Sequence, residues 1–357
     1  MSTISISSLK EQAGEVPLIA SVLAQLQARA VKTTKGGKPY FDLVFADATG
    51  SLNLKIWSDT PLHTEAESLQ LQTIVRLEGE WTQNQYGVNG ASVSWARLDD
   101  DSIADFLPGD PVVRKKQEKD FAEIAHLCGA MEDPRLKKLC EHFFETMGDR
   151  FRRTAAARKN HHARRGGLVE HVAQMMRTAE AVSTIYPELN RDLMIAGVLF
   201  HDCGKLWENS YPEDGFGQIH SRYGEMLGHI PLGIELVNKL WHDLIAAGDF
   251  EPYSACKPSA EDVRLHLLHL IGSHHGQLEF GSPILPKTPE AYALHYIDNL
   301  DAKMEMLRDA YPQANEVAPG IYDRVFPLPT GLVKPLGEFE MVELEKEEGE
   351  EMSDKAD

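Results

Sequence analysis

Residues 193–205 read LMIAGVLFHDCGK, an apolar helical run that ends in an adjacent histidine and aspartate. At a helix end, His201 and Asp202 can present an imidazole and a carboxylate to one metal ion. Gly204 allows another segment to approach closely, because glycine has no side chain. A histidine-aspartate pair alone also fits an ordinary helix cap, so its interpretation depends on the rest of the chain.

The second half of the chain is predicted to be helical. Apolar residues recur at spacings of three and four in the ranges 168–182, 191–207, 222–247, 260–274 and 289–310. Thr288 and Pro289 are typical of a helix N-cap and a first helical residue. The pattern therefore predicts an all-α C-terminal domain.

Several polar residues on these helices are candidates to bind metal together with His201 and Asp202. They are His171, His229, His274, His275 and Asp298. Each of them taken singly is more often an ordinary core or surface residue than a ligand. Nitrogen and oxygen ligands without a C-x-x-C thiolate pair favour a divalent ion such as Mn²⁺, Fe²⁺ or Co²⁺ over structural zinc.

The first part of the chain has the period-two alternation of β-strands. Strands are predicted at residues 18–31, 40–45, 52–57, 74–81 and 92–98, with loops at 47–50 and 84–90. In the second of these strands, Phe41, Leu43 and Phe45 form the apolar set. Five short strands in this span fit a small closed barrel such as the OB-fold.

The chain is predicted to be multidomain. Residues 99–119 are polar and lack a sustained period, which indicates a linker. The predicted order is an all-β OB-fold barrel at 1–105, a linker with leading helices at 106–150, an all-α domain at 151–325 and an acidic, disordered tail at 326–357.

Composition and charge limit the function further. A chain of 357 residues, 42% of them hydrophobic, supports two domains with real cores and excludes a disordered protein. Its longest apolar run, 193–200, is far shorter than the roughly 20 residues of a membrane-spanning helix, so we expect a cytoplasmic protein without a membrane partner. The net charge of −19 is uneven, because residues 338–357 hold ten acidic residues whereas residues 150–165 hold seven basic ones and no acidic one. Local charge governs phosphate binding more than the total does.

The order of His171, His201-Asp202 and Asp298 resembles that of the HD-domain metal-dependent phosphohydrolases. The match is closer to the YhaM-type 3′-to-5′ exoribonucleases, which join an N-terminal OB-fold to an HD domain. Its motifs are GGLVEH at 166–171, HDCGK at 201–205, SHHGQLEFGSP at 273–283 and HYIDNLDAK at 295–303. The resemblance covers about residues 14–310, and the basic pair Arg164-Arg165 departs from it.

The resemblance implies two metal ions with Asp202 between them. It assigns His171, His201, Asp202 and Asp298 to the first ion and Asp202, His229 and His274 to the second. His275 is left as an alternative ligand or a substrate contact. Two ions, Mn²⁺ first and Co²⁺ or Fe²⁺ as alternatives, would hold a hydroxide nucleophile and the scissile phosphate. Lys205, one turn beyond His201, would neutralise charge that develops on the phosphoryl group.

Nucleic-acid contacts are predicted in two places. One is the basic segment before His171, namely Arg158, Lys159, His161, His162, Arg164 and Arg165. A charge run is usually a solvated face, but this one has no acidic residues among its bases and lies close to a metal ligand in sequence. The other is the outward face of the barrel, where Trp57 would stack a base and Lys55 would attract phosphate. Packing of Trp57 on a neighbouring domain is an equally open alternative.

The expected activity is metal-dependent 3′-to-5′ exonuclease action on single-stranded RNA, releasing nucleoside 5′-monophosphates. Direction and product follow from the resemblance, and single-stranded DNA is an alternative substrate. One rival is an HD phosphohydrolase of a small or cyclic nucleotide, which the attached barrel disfavours. The other is a non-catalytic nucleic-acid-binding protein with structural metals. The sequence leaves a homo-oligomer open.

Overall fold

The computed structural model describes residues 2–34, 36–84, 87–99, 102–103, 106, 111–158, 162–213, 215–218 and 221–337. Its N-terminal strands are β1 Thr3–Ile4, β2 Leu18–Thr33, β3 Pro39–Asp47, β4 Gly50–Trp57, β5 Ile74–Asn84 and β6 Gly87–Arg97, with helices α1 Ile6–Gln12 and α2 Leu62–Ser68. The antiparallel strands pair in the order β4-β3-β2-β5-β6. This is the strand order of the OB-fold, so the predicted barrel is confirmed.

Alternation along the strands builds the barrel core. The antiparallel register pairs Phe41 with Ile56, Leu43 with Leu54 and Phe45 with Leu52, and all six side chains are buried. Because successive residues of a strand face opposite sides, Trp57 lies on the outer face, where its ring lies 4.9 Å from that of Tyr40. The hydrophobic pattern thus fixes which aromatic residues remain outside.

Strand ends differ from the prediction at the second loop. β5 continues to Asn84 and β6 begins at Gly87, with these two residues paired, so most of the loop predicted at 84–90 is strand. Ladder hydrogen bonds support these polar ends, although their sequence lacks a clear alternation.

The second part of the chain is helical, as predicted, and it packs around one large apolar core. Its helices are α3 Pro111–Gly129, α4 Pro134–Arg153, α5 Gly167–Ile185, α6 Arg191–Phe200, α7 Lys205–Glu208, α8 Arg222–Leu227, α9 His229–Ala246, α10 Ala260–Ser273 and α11 Pro289–Ala310. The predicted cap of α11 is present, because the backbone N–H of Ala291 donates to Thr288 Oγ1 over 3.2 Å.

Two of the ranges with helical spacing are interrupted, the first of them at the helix end expected at His201 and Asp202. The range 191–207 is broken by a turn at 201–204 between α6 and α7, and the range 222–247 is broken at Gly228, whose φ is +73°. A positive φ suits glycine because glycine has no Cβ. Both breaks place candidate ligands at helix ends.

The predicted linker is shorter than expected. Helix α3 begins at Pro111, so residues 111–119 are helical, while 107–110 lie outside the described residues. The barrel also contacts the helical part directly. The backbone N–H of Phe216 donates to Gln25 Oε1 over 3.1 Å, and the rings of Phe216 and Phe106 are 4.9 Å apart.

Residues from Met306 onward form a separate unit. It contains strands β7 Glu316–Ala318, β8 Ile321–Tyr322 and β9 Leu332–Val333, and Leu332 belongs to a small buried cluster. The tail was predicted to begin at 326, which is too early because β9 lies beyond that point. Residues 338–357 lie outside the described residues. None of the described helices combines the length and hydrophobicity that a bilayer crossing demands.

Candidate metal centre

The candidate ligands of five helices meet at one buried place around Asp202. His201 and Asp202 lie in the turn after α6, and His229 is the first residue of α9. Gly204 makes this approach possible, since a Cβ there would lie 1.8 Å from the carbonyl oxygen of His229. The close approach predicted at this glycine is therefore present.

Four side chains form what we call the first donor set, namely His171, His201, Asp298 and Asp202 through its Oδ2. His171 Nε2 lies 3.3 Å from His201 Nε2 and 3.4 Å from Asp298 Oδ1. His201 Nε2 lies 3.2 Å from Asp202 Oδ2. Bonds of about 2.0–2.2 Å to a shared ion place ligand atoms roughly 3–4 Å apart, so this spacing suits one divalent cation.

The second donor set consists of His229, His274 and Oδ1 of Asp202. His229 Nε2 lies 3.5 Å and His274 Nε2 3.7 Å from that oxygen. The His201 and His274 rings, one from each set, are 5.0 Å apart. The two carboxylate oxygens of Asp202 therefore face different donor sets.

Hydrogen bonds on the far side of each ring orient the imidazoles. Nδ1 of His201 lies 2.8 Å from the carbonyl oxygen of Val198, and Nδ1 of His274 lies 2.8 Å from that of Ile271. Since a carbonyl oxygen only accepts, each Nδ1 carries a proton, and in the neutral ring each Nε2 presents its lone pair to the site. Such partners commonly fix metal-binding histidines.

The corresponding contacts of His171 and His229 are to carboxylates. Nδ1 of His171 lies 2.7 Å from Asp301 Oδ2, and Nδ1 of His229 lies 2.8 Å from Glu208 Oε2. Glu208 was not anticipated from the sequence. Its spacing of one turn from Lys205 is the only local signal that it faces the site.

Some buried polar atoms of this site lack hydrogen-bond partners, which bears on whether the site suits a metal ion. Among the described residues, Asp202 Oδ1, His229 Nε2 and His274 Nε2 are buried without a hydrogen-bond partner. Leaving a buried polar atom unpaired costs about 1–3 kcal/mol, so three such atoms facing one another fit the ligands of a bound cation. The donors are imidazoles and carboxylates without a thiolate, as expected for a hard or borderline divalent ion.

The electrostatics agree with that assignment. Burial keeps the pKa of His274 well below its usual value, so this ring stays neutral and able to ligate. Burial also lowers the pKa of His171, but hydrogen bonds to Asp298 and Asp301 outweigh it and raise that pKa to about 9. The carboxylates that attract a proton at this place would attract a divalent cation in the same way.

Lys205 and His275 lie at the edges of the donor sets. Lys205 Nζ is 2.5 Å from Asp202 Oδ2, and the lysine side chain is largely buried. His275 directs Nδ1 to the carbonyl oxygen of Phe280 over 2.6 Å. Its ring groups with His229 and His274 closely enough that one nitrogen of each could hold the same ion.

The basic segment predicted to bind RNA makes mostly internal contacts. Arg164 donates to both oxygens of Glu170, His162 is buried against Asp301, and Arg165 donates to the carbonyl oxygens of Pro212, Glu213 and Gly215. Arg158 contacts Glu225. Lys159 and His161 lie outside the described residues. The side chains of Arg164 and His162 thus face neighbouring acids, which the local sequence does not reveal.

The barrel residues predicted to bind RNA are on the surface. Trp57 is 36% exposed and Lys55 is exposed, both on β4. The neighbouring lysines Lys32 and Lys38 are paired with Asp42 and Asp59. β3 and β4 are the second and third strands of the five-stranded barrel, the face with which OB-folds bind oligonucleotides.

Comparison with known proteins places these features in a family. Residues 168–303 match the HD domain family, a span that contains both donor sets. The chain is 35% identical over 305 residues to the 3′-5′ exoribonuclease YhaM of Geobacillus sp. (strain WCH70), covering 83% of this chain and 86% of that relative. It is 33% identical to YhaM of Oceanobacillus iheyensis, covering 82% and 86%, and 35% identical to YhaM of Bacillus velezensis, covering 83% and 89%.

The similarity extends beyond the HD domain into the barrel, because it covers more than four-fifths of both chains. The chain belongs to the YhaM family of 3′-5′ exoribonucleases.

Proposed function

We propose that this protein is a metal-dependent 3′-to-5′ exonuclease that hydrolyses single-stranded RNA to nucleoside 5′-monophosphates, with single-stranded DNA as an alternative substrate. The observation that carries the proposal is the position of Asp202, whose two oxygens face two sets of inward-directed imidazoles. The barrel supplies a surface for a polymeric substrate. The relatives named above are 3′-5′ exoribonucleases.

The first donor set would hold one divalent ion and the second donor set another, with Mn²⁺ as the first choice and Co²⁺ or Fe²⁺ as alternatives. When bound, such a pair supplies an acidified water and stabilises charge on the scissile phosphate. His275 would complete the second set. Support for this comes from its grouping with His229 and His274 and from the Phe280 carbonyl that holds its other nitrogen.

Lys205 is assigned to the phosphate. Its ammonium lies on Asp202 and thus beside both donor sets, where water is largely excluded. A fixed positive charge in such a place stabilises negative charge that develops in a transition state more strongly than it would in bulk solvent.

The RNA chain would contact the outer face of β3 and β4, through Trp57 and Lys55. The internal contacts of Arg164 and His162 argue against direct RNA contact by these two residues. Arg158, Arg165, Lys159 and His161 stay proposed phosphate contacts, of which Arg158 and Arg165 are only partly buried.

Replacing Trp57 with alanine is expected to weaken RNA binding and leave the chemical step intact. Loss of one stacked base costs about 1–3 kcal/mol, which corresponds to roughly 5- to 150-fold in affinity. The check is the dissociation constant of a fluorescent single-stranded RNA, with Trp57→Phe retaining most of the affinity. Tyr186→Ala, an exposed aromatic of the helical domain, serves as the matched control. Equal affinity of Trp57→Ala and wild type would remove the barrel face from the RNA path.

The function is tested with single-stranded RNA labelled at its 5′ end. With Mn²⁺ the labelled RNA should shorten stepwise and release 5′-monophosphates, whereas a chelator should stop the reaction. A ladder that forms only with 3′-labelled RNA would show that the enzyme degrades RNA from the 5′ end instead. Intact RNA accompanied by hydrolysis of a small or cyclic nucleotide would replace the proposal with its rival.

A further inference from the structure

One carboxylate oxygen behind the first donor set accepts hydrogen bonds from two histidines. Asp301 Oδ2 lies 2.7 Å from His171 Nδ1 and 3.1 Å from His162 Nε2. All three side chains are buried. A carboxylate oxygen accepts hydrogen bonds, so Nδ1 of His171 and Nε2 of His162 are the donors of this pair.

This shared oxygen determines the direction of His171. Because Nδ1 of His171 donates to Asp301, the ring is turned so that its Nε2 faces His201 and Asp298. A rotation of the Asp301 carboxylate would therefore turn the His171 ring away from the first donor set. His162 supplies the second hydrogen bond that holds this carboxylate in place.

His162 is itself held firmly. Its φ is +47°, a backbone conformation that is uncommon for residues other than glycine and persists only where surrounding contacts enforce it. Its carbonyl oxygen packs against Gly167, where a Cβ would lie 2.0 Å away, and accepts from the backbone N–H of Ala156. Gly167 at the start of α5 thus holds His162 in place, and His171 follows Gly167 by one helical turn.

Further charged side chains lie behind His162. Its Nδ1 lies 3.5 Å from Glu305 Oε1, and Arg164 donates to the same oxygen over 3.3 Å. Glu305 follows Asp301 by one turn of α11, so the two acids lie on the same helix face. The basic segment at this point therefore organises buried acids.

We infer that His162 is a positioning residue of the metal centre, which acts through Asp301 to hold His171 Nε2 in the first donor set. The inference rests on the proposed metal centre, but not on which nucleic acid is cleaved. It gives the histidine before the GGLVEH motif a role that is distinct from substrate contact.

The test measures Mn²⁺ binding to the full-length, metal-free chain by calorimetry. His162→Phe keeps the ring volume and removes the donor, so the affinity of one of two Mn²⁺ sites should fall about 10- to 100-fold, the usual effect of losing such a partner. His162→Gln keeps an N–H that reaches Asp301 and should restore most of this affinity. The other Mn²⁺ site should bind as in wild type in both variants.

Lys116→Met is the matched control, because it removes an ion pair to buried Glu170 without touching Asp301. It should lower the melting temperature of the metal-free chain but keep both Mn²⁺ affinities. Should His162→Phe not fold, His162→Asn, whose amide is too short for Asp301, takes its place. The inference would be overturned if His162→Phe, or His162→Asn in its place, bound both Mn²⁺ ions with wild-type affinity. It would also be overturned if His162→Gln lost as much Mn²⁺ affinity as His162→Phe.

RNA cleavage on the same preparations separates the inference from the proposed function. Wild-type protein that cleaves RNA while His162→Phe binds both ions normally contradicts only the role of His162. Wild-type protein that binds two Mn²⁺ ions without cleaving RNA contradicts only the proposed function, and a selective loss in His162→Phe then still supports the positioning role.

Discussion

Replacing Asp202 with asparagine is expected to abolish RNA hydrolysis while the fold and RNA affinity persist. Asparagine has the shape of aspartate but lacks the charge that would hold a cation on each side. Burial raises the pKa of Asp202, yet Lys205 and the surrounding histidines outweigh it and hold that pKa well below its usual value, so wild-type protein carries the full negative charge. Losing several kcal/mol of transition-state stabilisation lowers turnover on the order of 1,000-fold or more.

Three measurements on one Asp202→Asn preparation check this result. They are metal content per chain, affinity for single-stranded RNA and rate of hydrolysis. Asp120→Asn is the matched control, because Asp120 is equally buried and paired with Lys116 and Arg177, away from the donor sets. The control should lose some stability and keep its metals. Near-normal hydrolysis by Asp202→Asn would exclude a mechanism with Asp202 between two ions.

The same preparation tests the rival in which the metals are structural. A structural ion contributes folding energy directly, so its loss should unfold the helical domain and remove RNA binding together with hydrolysis. A catalytic pair predicts a different outcome, since the apolar core around the site is large and does not include Asp202. An Asp202→Asn protein that keeps its melting temperature and RNA affinity but does not hydrolyse RNA would therefore favour catalytic over structural metals.

The barrel was predictable from the sequence because its signal is local. Phe41, Leu43 and Phe45 alternate with outward residues, and the same alternation sets the register with β4. Once the register is fixed, Trp57 must face outward. Strand β1 and helices α1 and α2 were not predicted. The polar strand ends at Asn84 and Gly87 also escaped prediction, since hydrogen bonding rather than burial stabilises them.

The helix breaks were harder to predict, although they build the site. Apolar spacing continues through residues 201–204 and across Gly228, so periodicity alone predicts unbroken helices. The breaks bring the start of α9 close enough for His229 to face Asp202. The cue was Gly204, whose missing side chain makes room for the carbonyl of His229.

The partners of the basic segment could not be predicted from neighbouring residues. His162 and Asp301 are separated by 139 positions, and Arg164 and Glu305 by 141. A run without interleaved acids looks like a solvated or phosphate-binding face when only its own residues are considered. Its charge is instead balanced by acids of α11 and by Glu170, which the fold brings alongside.

Substituting one histidine from each donor set is expected to remove different metal ions. His171→Ala should deplete the ion of the first set and His229→Ala that of the second, so each variant should retain about one Mn²⁺ per chain. Turnover should fall on the order of 1,000-fold in both, because attacking and leaving oxygens each require a cation. His266→Ala, an exposed histidine of α10, should keep both ions and full activity.

Comparing the metal content of the two variants is more informative than either loss alone, because Asp202 has one oxygen toward each set. If the sets were one site, either substitution would release all the metal. If each set holds its own ion, the double variant should lose both ions. Its activity should fall little further than that of the single variants, because two ions that act together in catalysis have strongly non-additive effects. Metal analysis of the three variants beside Asp202→Asn therefore decides whether this centre holds one ion or two. Complete metal loss in either single variant would contradict the two-site assignment.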